Sequence, residues 1–357
     1  MKAPTRVLGG LYIVGFVTAA PPVAAQLNVH TGNYDLTISG RINVQFRTSS
    51  VVLAPSSRFI LRRARVTVVV KVNDFIEAKV QPDFGEFQMR DAYVRMNFHP
   101  AFKLTFGNAK RPFDLFELYS SSYIIVIERT GKIEGVADCA GVGGVCSWSQ
   151  LTEKLLFSDR DLGVFVDGEA GAVDYHFSVT NGSGTIVADE NDAKSYTGRV
   201  RIQATSDLRV AANVAAHDYL HPDRLGDEYA VAYGGDAEWG AYGNAGVHIQ
   251  AGFLRGKNWR NLDAAGDPST FTTAQVIVGY RMPLAHPGHF TAIEPLGRVS
   301  WADPDRAATV GGGGWLLTPG VALHLSGRNM MVANVDVWFP DEGEREWSLK
   351  LQSMVYF

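Results

Sequence analysis

Residues 347–357, Trp-Ser-Leu-Lys-Leu-Gln-Ser-Met-Val-Tyr-Phe, decide how the rest of the chain is read. Trp347, Leu349, Leu351, Val355 and Phe357 share one parity, while Ser348, Lys350, Gln352, Met354 and Tyr356 share the other. Successive side chains of a strand point to opposite faces, so this segment is a strand with one oily face and one wet face. A soluble sandwich strand alternates in the same way. The difference lies in the aromatic at the last position, which suits a lipid boundary better than water.

The same period runs back through the chain. In Asp35–Arg47, Leu36, Ile38, Ile42, Val44 and Phe46 oppose Thr37, Ser39, Arg41, Asn43, Gln45 and Arg47. Farther on, Ala64, Val66, Val68, Val70 and Val72 oppose Arg63, Arg65, Thr67 and Lys71. Tyr196, Val200, Ile202 and Ala204 oppose Thr197, Arg199, Arg201 and Gln203, and Leu208, Val210, Ala212 and Val214 oppose Arg209 and Asn213. No helical period is sustained. At 46% hydrophobic and 20% charged, with mean hydropathy near zero, the chain is neither a disordered tail nor a bundle of membrane helices. Beyond residue 25 no stretch of about 18 uncharged apolar residues is available to span a bilayer as a helix.

Strands in lipid must satisfy every backbone N–H and C=O, and only a closed barrel does so. The expected fold class is therefore all-β, a transmembrane antiparallel β-barrel. Residues 26–357, at about ten residues per spanning strand plus loops, suit about 16 strands, with 14 or 18 open. A barrel of that size encloses an aqueous channel. Phe98, Phe102, Trp239, Trp301, Trp338 and Trp347 are candidates for an aromatic girdle, or else for packing against turns.

Residues 1–25 have Lys2 and Arg6, an apolar core from Val7 to Ala20, and Val23-Ala24-Ala25 before Gln26, the pattern of a secretory signal peptide. An uncleaved anchor is the alternative, against which the apolar core is short. Cleavage takes two of the 33 basic residues, leaving 31 against 37 acids, so any attraction for anions has to be local. Cys139 and Cys146 lie in the glycine-rich run ADCAGVGGVCSW. Their spacing permits a loop disulfide in an oxidising compartment, with free thiols as the other possibility. With no histidine in that loop, a closed zinc site lacks its ligands. No cofactor, metal, catalytic residue or nucleic-acid partner is expected. Gly311 to Gly314 lacks the Lys-Ser/Thr of a phosphate loop and reads as a turn, no Gly-x-Ser-x-Gly elbow occurs, and His217-Asp218 and Asp303-Pro304-Asp305 read as solvated turns.

Seven short motifs stand in one order: Arg62-Arg63-Ala64-Arg65; Arg90-Asp91-Ala92-Tyr93-Val94; Phe106-Gly107-Asn108-Ala109-Lys110-Arg111-Pro112-Phe113; Glu128-Arg129; Arg160-Asp161-Leu162-Gly163-Val164; Thr180-Asn181-Gly182-Ser183-Gly184; and Thr197-Gly198-Arg199-Val200. In that order the chain resembles the phosphate-selective porins O and P. The resemblance covers most of residues 26–357. It implies a 16-stranded trimeric porin of the bacterial outer membrane, in contact with lipid, whose third loop folds into the lumen as a waist.

A hydrated anion crossing a waist sheds water, and arginines can replace that hydration with charge-assisted, often bidentate hydrogen bonds. The planar guanidinium fork matches phosphate oxygens and stays charged at every relevant pH. Parity puts Arg41, Arg63, Arg65, Arg199, Arg201 and Arg209 on the lumenal face, and Lys110 and Arg111 lead into the third loop. Arg62 has the wrong parity and joins the pathway only if it sits at a strand end. These nine residues are the candidate pathway for small anions such as phosphate and chloride. Against this, Glu77, Asp83, Asp91, Glu238 and Glu294 are placed to pair with the arginines, and Asp114 and Glu117 would oppose an anion. A general or carbohydrate-selective porin without anion preference is therefore the alternative. The third loop is expected over about 111–150, with Tyr123–Ile127 either packed inside or forming a strand, and Glu128 and Arg129 anchoring it to the wall.

Overall fold

The computed structural model describes residues 26–30, 34–52, 55–136, 139–189, 191–222, 226–241, 243–286, 288–305 and 312–357. Residues 1–25, where a signal peptide is expected, and Gly311 lie outside them. Sixteen of its strands are β2 (Asp35–Ser49), β3 (Ser57–Lys71), β4 (Ile76–Asp83), β5 (Gln88–His99), β6 (Phe102–Lys110), β7 (Arg160–Ala170), β8 (Val173–Thr180), β9 (Ser195–Gln203), β10 (Leu208–Leu220), β11 (Asp227–Trp239), β12 (Gly246–Leu262), β13 (Pro268–Pro283), β14 (Ala292–Asp303), β15 (Gly314–His324), β16 (Met330–Pro340) and β17 (Glu346–Tyr356). A short β1 (Leu27–His30) precedes them.

Each strand pairs antiparallel with the next, and β17 returns to β2 from Ser348↔Ser49 to Tyr356↔Arg41, closing a barrel of sixteen strands. β1 pairs with the start of β2, Leu27↔Ile38 to His30↔Asp35, below the last residue that β17 covers. At the seam, Gly40 and Phe357 exchange backbone hydrogen bonds. A Cβ on Gly40 would stand 2.4 Å from the Phe357 ring, so only glycine lets the final aromatic lie across the seam. No helix among the described residues is long and apolar enough to cross a membrane.

The parity read from sequence is the wall of the barrel. Ile42, Val44, Leu351 and Val355 are exposed on the outside, while Asn43, Gln45, Lys350 and Gln352 are buried toward the inside. Phe98, Phe102, Trp239 and Trp347 are exposed on the outer face. Trp338 is not: its parity points it inward, where it is buried in the apolar cluster inside the barrel. Turns at one end are mostly short, such as residues 100–101 and 171–172, while the other end carries the long loops. In outer-membrane barrels such an asymmetry separates a periplasmic rim of short turns from an extracellular rim of long loops.

The longest connection, residues 111–159, enters the lumen. It reaches nine residues beyond the limit read from sequence, because α2 (Trp148–Lys154) packs inside as well. Ser147 caps α2, its Oγ accepting from Gln150 N at 3.3 Å. At the other end of the loop, Asp114 caps the single turn α1 (Leu115–Leu118). Tyr123–Ile127 forms no strand, and Ile125, Val126 and Ile127 are buried.

One side of the loop is apolar and lies against β10–β17. Phe113, Phe116, Trp148, Leu151 and Phe157 cluster there with Leu254, Phe271, Leu316 and Trp338. The Trp148 ring lies over Gly252, where a Cβ would come within 2.8 Å. Truncating a buried Phe or Trp of this kind costs about 3–5 kcal/mol. Polar ties fix the register: Ile127 N donates to Asn334 Oδ1 (3.0 Å), Trp148 N to Ser300 Oγ (3.0 Å), and Trp259 Nε1 to the Leu155 carbonyl (2.9 Å). Filling the β10–β17 half of the lumen leaves the open passage along β2–β8.

Candidate functional site

Two cavities lie on that open side. An outer vestibule of about 570 Å³ is bounded by residues 128–136 and 142–145 of the loop, α2, Arg62 and Arg63. An inner chamber of about 500 Å³ runs along β2–β8. They share four residues, Arg62, Arg63, Arg129 and Glu153, which therefore form the waist between them.

Two β-bulges build the arginine wall. On β2–β3, Asn43 pairs with Arg63 but Val44 pairs with Leu61, so Arg62 is the extra residue. On β4–β5, Gln81 pairs with Asp91 but Pro82 pairs with Met89, which makes Arg90 extra. A bulged residue escapes strict alternation, and both arginines reach the chamber, where each pairs with Glu86. Arg62 thus lines the passage from mid-strand, not from a strand end as its parity required.

Across the wall, Arg41 and Arg65 face each other on β2 and β3. Like charges opposite one another destabilise a sheet unless something compensates. Arg65 has Asp83, Nε to Oδ2 at 2.6 Å, whereas Arg41 donates to Ser121 Oγ of the loop, at 2.9 Å. Among the described residues, Arg41, Arg63 and Arg328 have no carboxylate within 4 Å. Arg328 lies instead over the Tyr123 and Tyr356 rings, 4.7 and 4.9 Å from their centres. Eleven arginine and lysine side chains line the chamber against five carboxylates. A chain with formal charge −4 therefore encloses a locally cationic passage.

Arg41, Arg62, Arg63, Arg65 and Lys110 come together here. The other four candidates line neither cavity. Arg111 is buried against Asp161 at 2.7 Å with both side chains sealed from solvent. Arg199 grips Asp236, Nη2 to Oδ1 at 2.7 Å, and also Asn213. Arg201 pairs with Asp174 (2.8 Å) and Arg209 with Glu238 (3.1 Å). Lumenal parity holds for these strands, but a carboxylate on the adjacent strand, or for Arg199 on the next but one, neutralises each guanidinium.

Lys79, Arg95, Arg129, Arg160 and Arg328 also line the chamber. The first two and Arg160 were accessible to parity on β4, β5 and β7; Arg328, in a turn, carried no signal.

The acids sort differently from their sequence reading. Asp83 and Asp91 pair with wall cations, and Glu238 with Arg209, but Glu294 joins His248 (2.7 Å) and His324 (2.5 Å) instead of an arginine. Glu128 binds Arg62 at 2.7 Å and also Arg47. Burial would raise its carboxyl, yet Arg62 and Arg63 prevail and hold it well below the usual carboxylate range. Glu117 sits between Lys110 and Arg129, each at 3.4 Å. Burial again acts upward, and the two cations bring the group down to about 2. Asp114 is occupied as the α1 cap, pushed up to about 6 by burial and by Glu117. None of these loop acids stands free to repel an anion. Arg129 ties the loop to itself through the Phe116 carbonyl at 3.0 Å.

Cys139 and Cys146 are joined, their Cα atoms 5.3 Å apart, and the residues between them edge the vestibule. His217 and Asp218 are not solvated: β10 carries them inside the wall, where Ser195 Oγ meets His217 Nδ1 at 3.0 Å and also Asp218. In a catalytic relay the imidazole stands between hydroxyl and acid. Here the hydroxyl is in the middle.

The sequence profile of the phosphate-selective porin O and P family matches residues 38–227, more than half the chain. The chain belongs to that family. The porin is similar in fold to several solved outer-membrane proteins. The anion-selective porin from Comamonas acidovorans has a TM-score of 0.62 at 12% identity, over 91% of this chain and 100% of that one. The outer-membrane channel DcaP of Acinetobacter baumannii gives 0.62 at 11%, over 92% and 99%. In-vitro folded OmpT of Vibrio cholerae, in its trimer form, gives 0.57 at 14%, over 91% and 99%. No curated protein sequence matches it significantly. Family and fold together make it an outer-membrane porin channel.

Proposed function

We propose that this porin conducts small anions, chloride and phosphate or polyphosphate among them, along the β2–β8 side of its lumen. One observation carries the reading: eleven basic side chains against five carboxylates in the chamber, with Arg41, Arg63 and Arg328 lacking a carboxylate within 4 Å among the described residues. Such guanidinium groups can replace an anion's lost hydration, and their fork favours phosphate over a spherical ion. We further infer that residues 1–25 direct export and are removed, and that the porin works as a homotrimer, as does OmpT of Vibrio cholerae in its trimer form.

The competing reading is a general porin with a transverse field. It is favoured by Glu128 of the loop, an acid set against the wall arginines Arg47 and Arg62. Reversal potentials of single channels in a potassium chloride gradient separate the two. Arg63→Ala should lower the chloride-over-potassium permeability ratio roughly 3- to 10-fold, the effect of one charge within a few ångströms of water-filled passage. Arg63→Lys should keep most of that ratio while weakening block of chloride current by phosphate. A ratio unaltered by Arg63→Ala, in a pore of normal conductance, would favour the general porin.

A further inference from the structure

Three of the four residues at the waist are arginines; the fourth is Glu153 of α2, half-buried. Among the described residues no cation lies within 4 Å of its carboxyl, despite the arginines that share the narrowing. Its carboxyl stands beside another, that of Glu117, and each acts on the charge of the other. Two neighbouring carboxyls repel when both are ionised, so the pair favours keeping one proton.

The surroundings decide which one. Lys110 Nζ and Arg129 Nε each stand 3.4 Å from a Glu117 oxygen and favour its ionised form. The proton therefore belongs on Glu153, whose carboxyl is pushed well above the usual range by burial, then by Glu117 and Asp159. The charged groups around the pair are Lys110, Glu117, Arg129 and Asp159 of the loop and its approach, Arg62 and Arg63 of β3, and Arg160 of β7. Lys154, next along α2, is exposed to solvent.

We propose that Glu153 sets the anion selectivity of this porin through its protonation state: as a neutral acid it leaves Arg63 at the waist without a compensating charge, and once ionised it adds a negative charge to the narrowing. This rests on the anion pathway proposed above. The sign follows directly. Selectivity for anions is full at low pH and declines as pH rises through the titration of Glu153.

The experiment is the single-channel reversal potential in a tenfold potassium chloride gradient, from pH 5 to pH 10. The wild-type chloride-over-potassium ratio should fall roughly 3- to 10-fold with rising pH, as one unit charge enters the waist. Glu153→Gln, whose amide can still donate to Glu117, should hold a single ratio across the range. Glu117→Gln removes the like charge, so the transition should move to lower pH. A flat wild-type profile overturns the proposal. So does a Glu153→Gln profile that titrates like the wild type, which would assign the transition to Lys110. Loss of selectivity in Arg63→Ala beside an unaltered titration in Glu153→Gln condemns only the role of Glu153, whereas no effect of Arg63→Ala removes the pathway itself.

Discussion

Asp336 on β16 is the counter-charge on which the placement of the inserted loop depends. Its carboxylate accepts from Arg298 Nη2 at 2.7 Å, from Thr318 Oγ1 at 2.5 Å and from Lys350 Nζ, and all three charged side chains are sealed from solvent. Arg298 in turn donates Nη1 to the carbonyls of Glu128 (2.9 Å) and Arg129 (2.5 Å), fixing the loop where it forms the waist. Asp336→Asn keeps the shape and deletes the charge, leaving two buried cations uncompensated. Breaking a buried pair in this way costs about 3–5 kcal/mol. Because the amide oxygen can still accept one or two of the hydrogen bonds, the lower end, about 3 kcal/mol, is expected. Urea titration of the vesicle-inserted barrel, followed by tryptophan fluorescence, reads the loss, since Trp148 is fully buried under the loop. Single-channel records should become noisier as Arg129 leaves its place. Adding Lys350→Met to Asp336→Asn removes one of the two orphaned charges and should recover about half the loss. A cost below about 1 kcal/mol together with a quiet current would refute the idea that this network holds the loop.

Deleting Phe357 removes the two backbone hydrogen bonds to Gly40 and the ring over the seam, so heat-modifiable protein in the outer membrane should decrease while export continues. Normal amounts would sever the link between seam and assembly. Thiol labelling of denatured, unreduced protein should leave Cys139 and Cys146 unmodified, and full labelling without reductant would exclude the bond between them. Asp114→Asn retains a capping oxygen and removes a carboxylate whose folded value of about 6 exceeds the ordinary one, so ionisation costs stability as pH rises past 4 toward 6 and beyond. The variant should therefore match or exceed wild-type stability at pH 8 and lose that advantage at pH 4; a stability difference independent of pH would contradict it.

Strand alternation, once the aromatic at position 357 of the final strand set it apart from a soluble sandwich, was enough to determine the barrel, its outer and inner faces and an approximate strand number, because in lipid the hydrophobic period and the need for backbone closure admit one solution. The same alternation identified Arg41, Arg63 and Arg65 correctly as inward-facing, and Trp338 could have been read inward by the same rule. What alternation does not encode is which inward arginine stays free. Arg199, Arg201 and Arg209 share the lumenal parity of Arg63, yet each meets a carboxylate brought beside it by strand register, over separations of 27 to 37 residues. Arg62 and Arg90 reach the passage only through bulges, which shift register locally and leave no mark in a period-two pattern. The waist is likewise a tertiary product. The loop's apolar side chains fill the β10–β17 half of the barrel and press its polar edge toward β3, so that Arg129 and Glu153, distant in sequence from Arg62 and Arg63, share one narrowing with them.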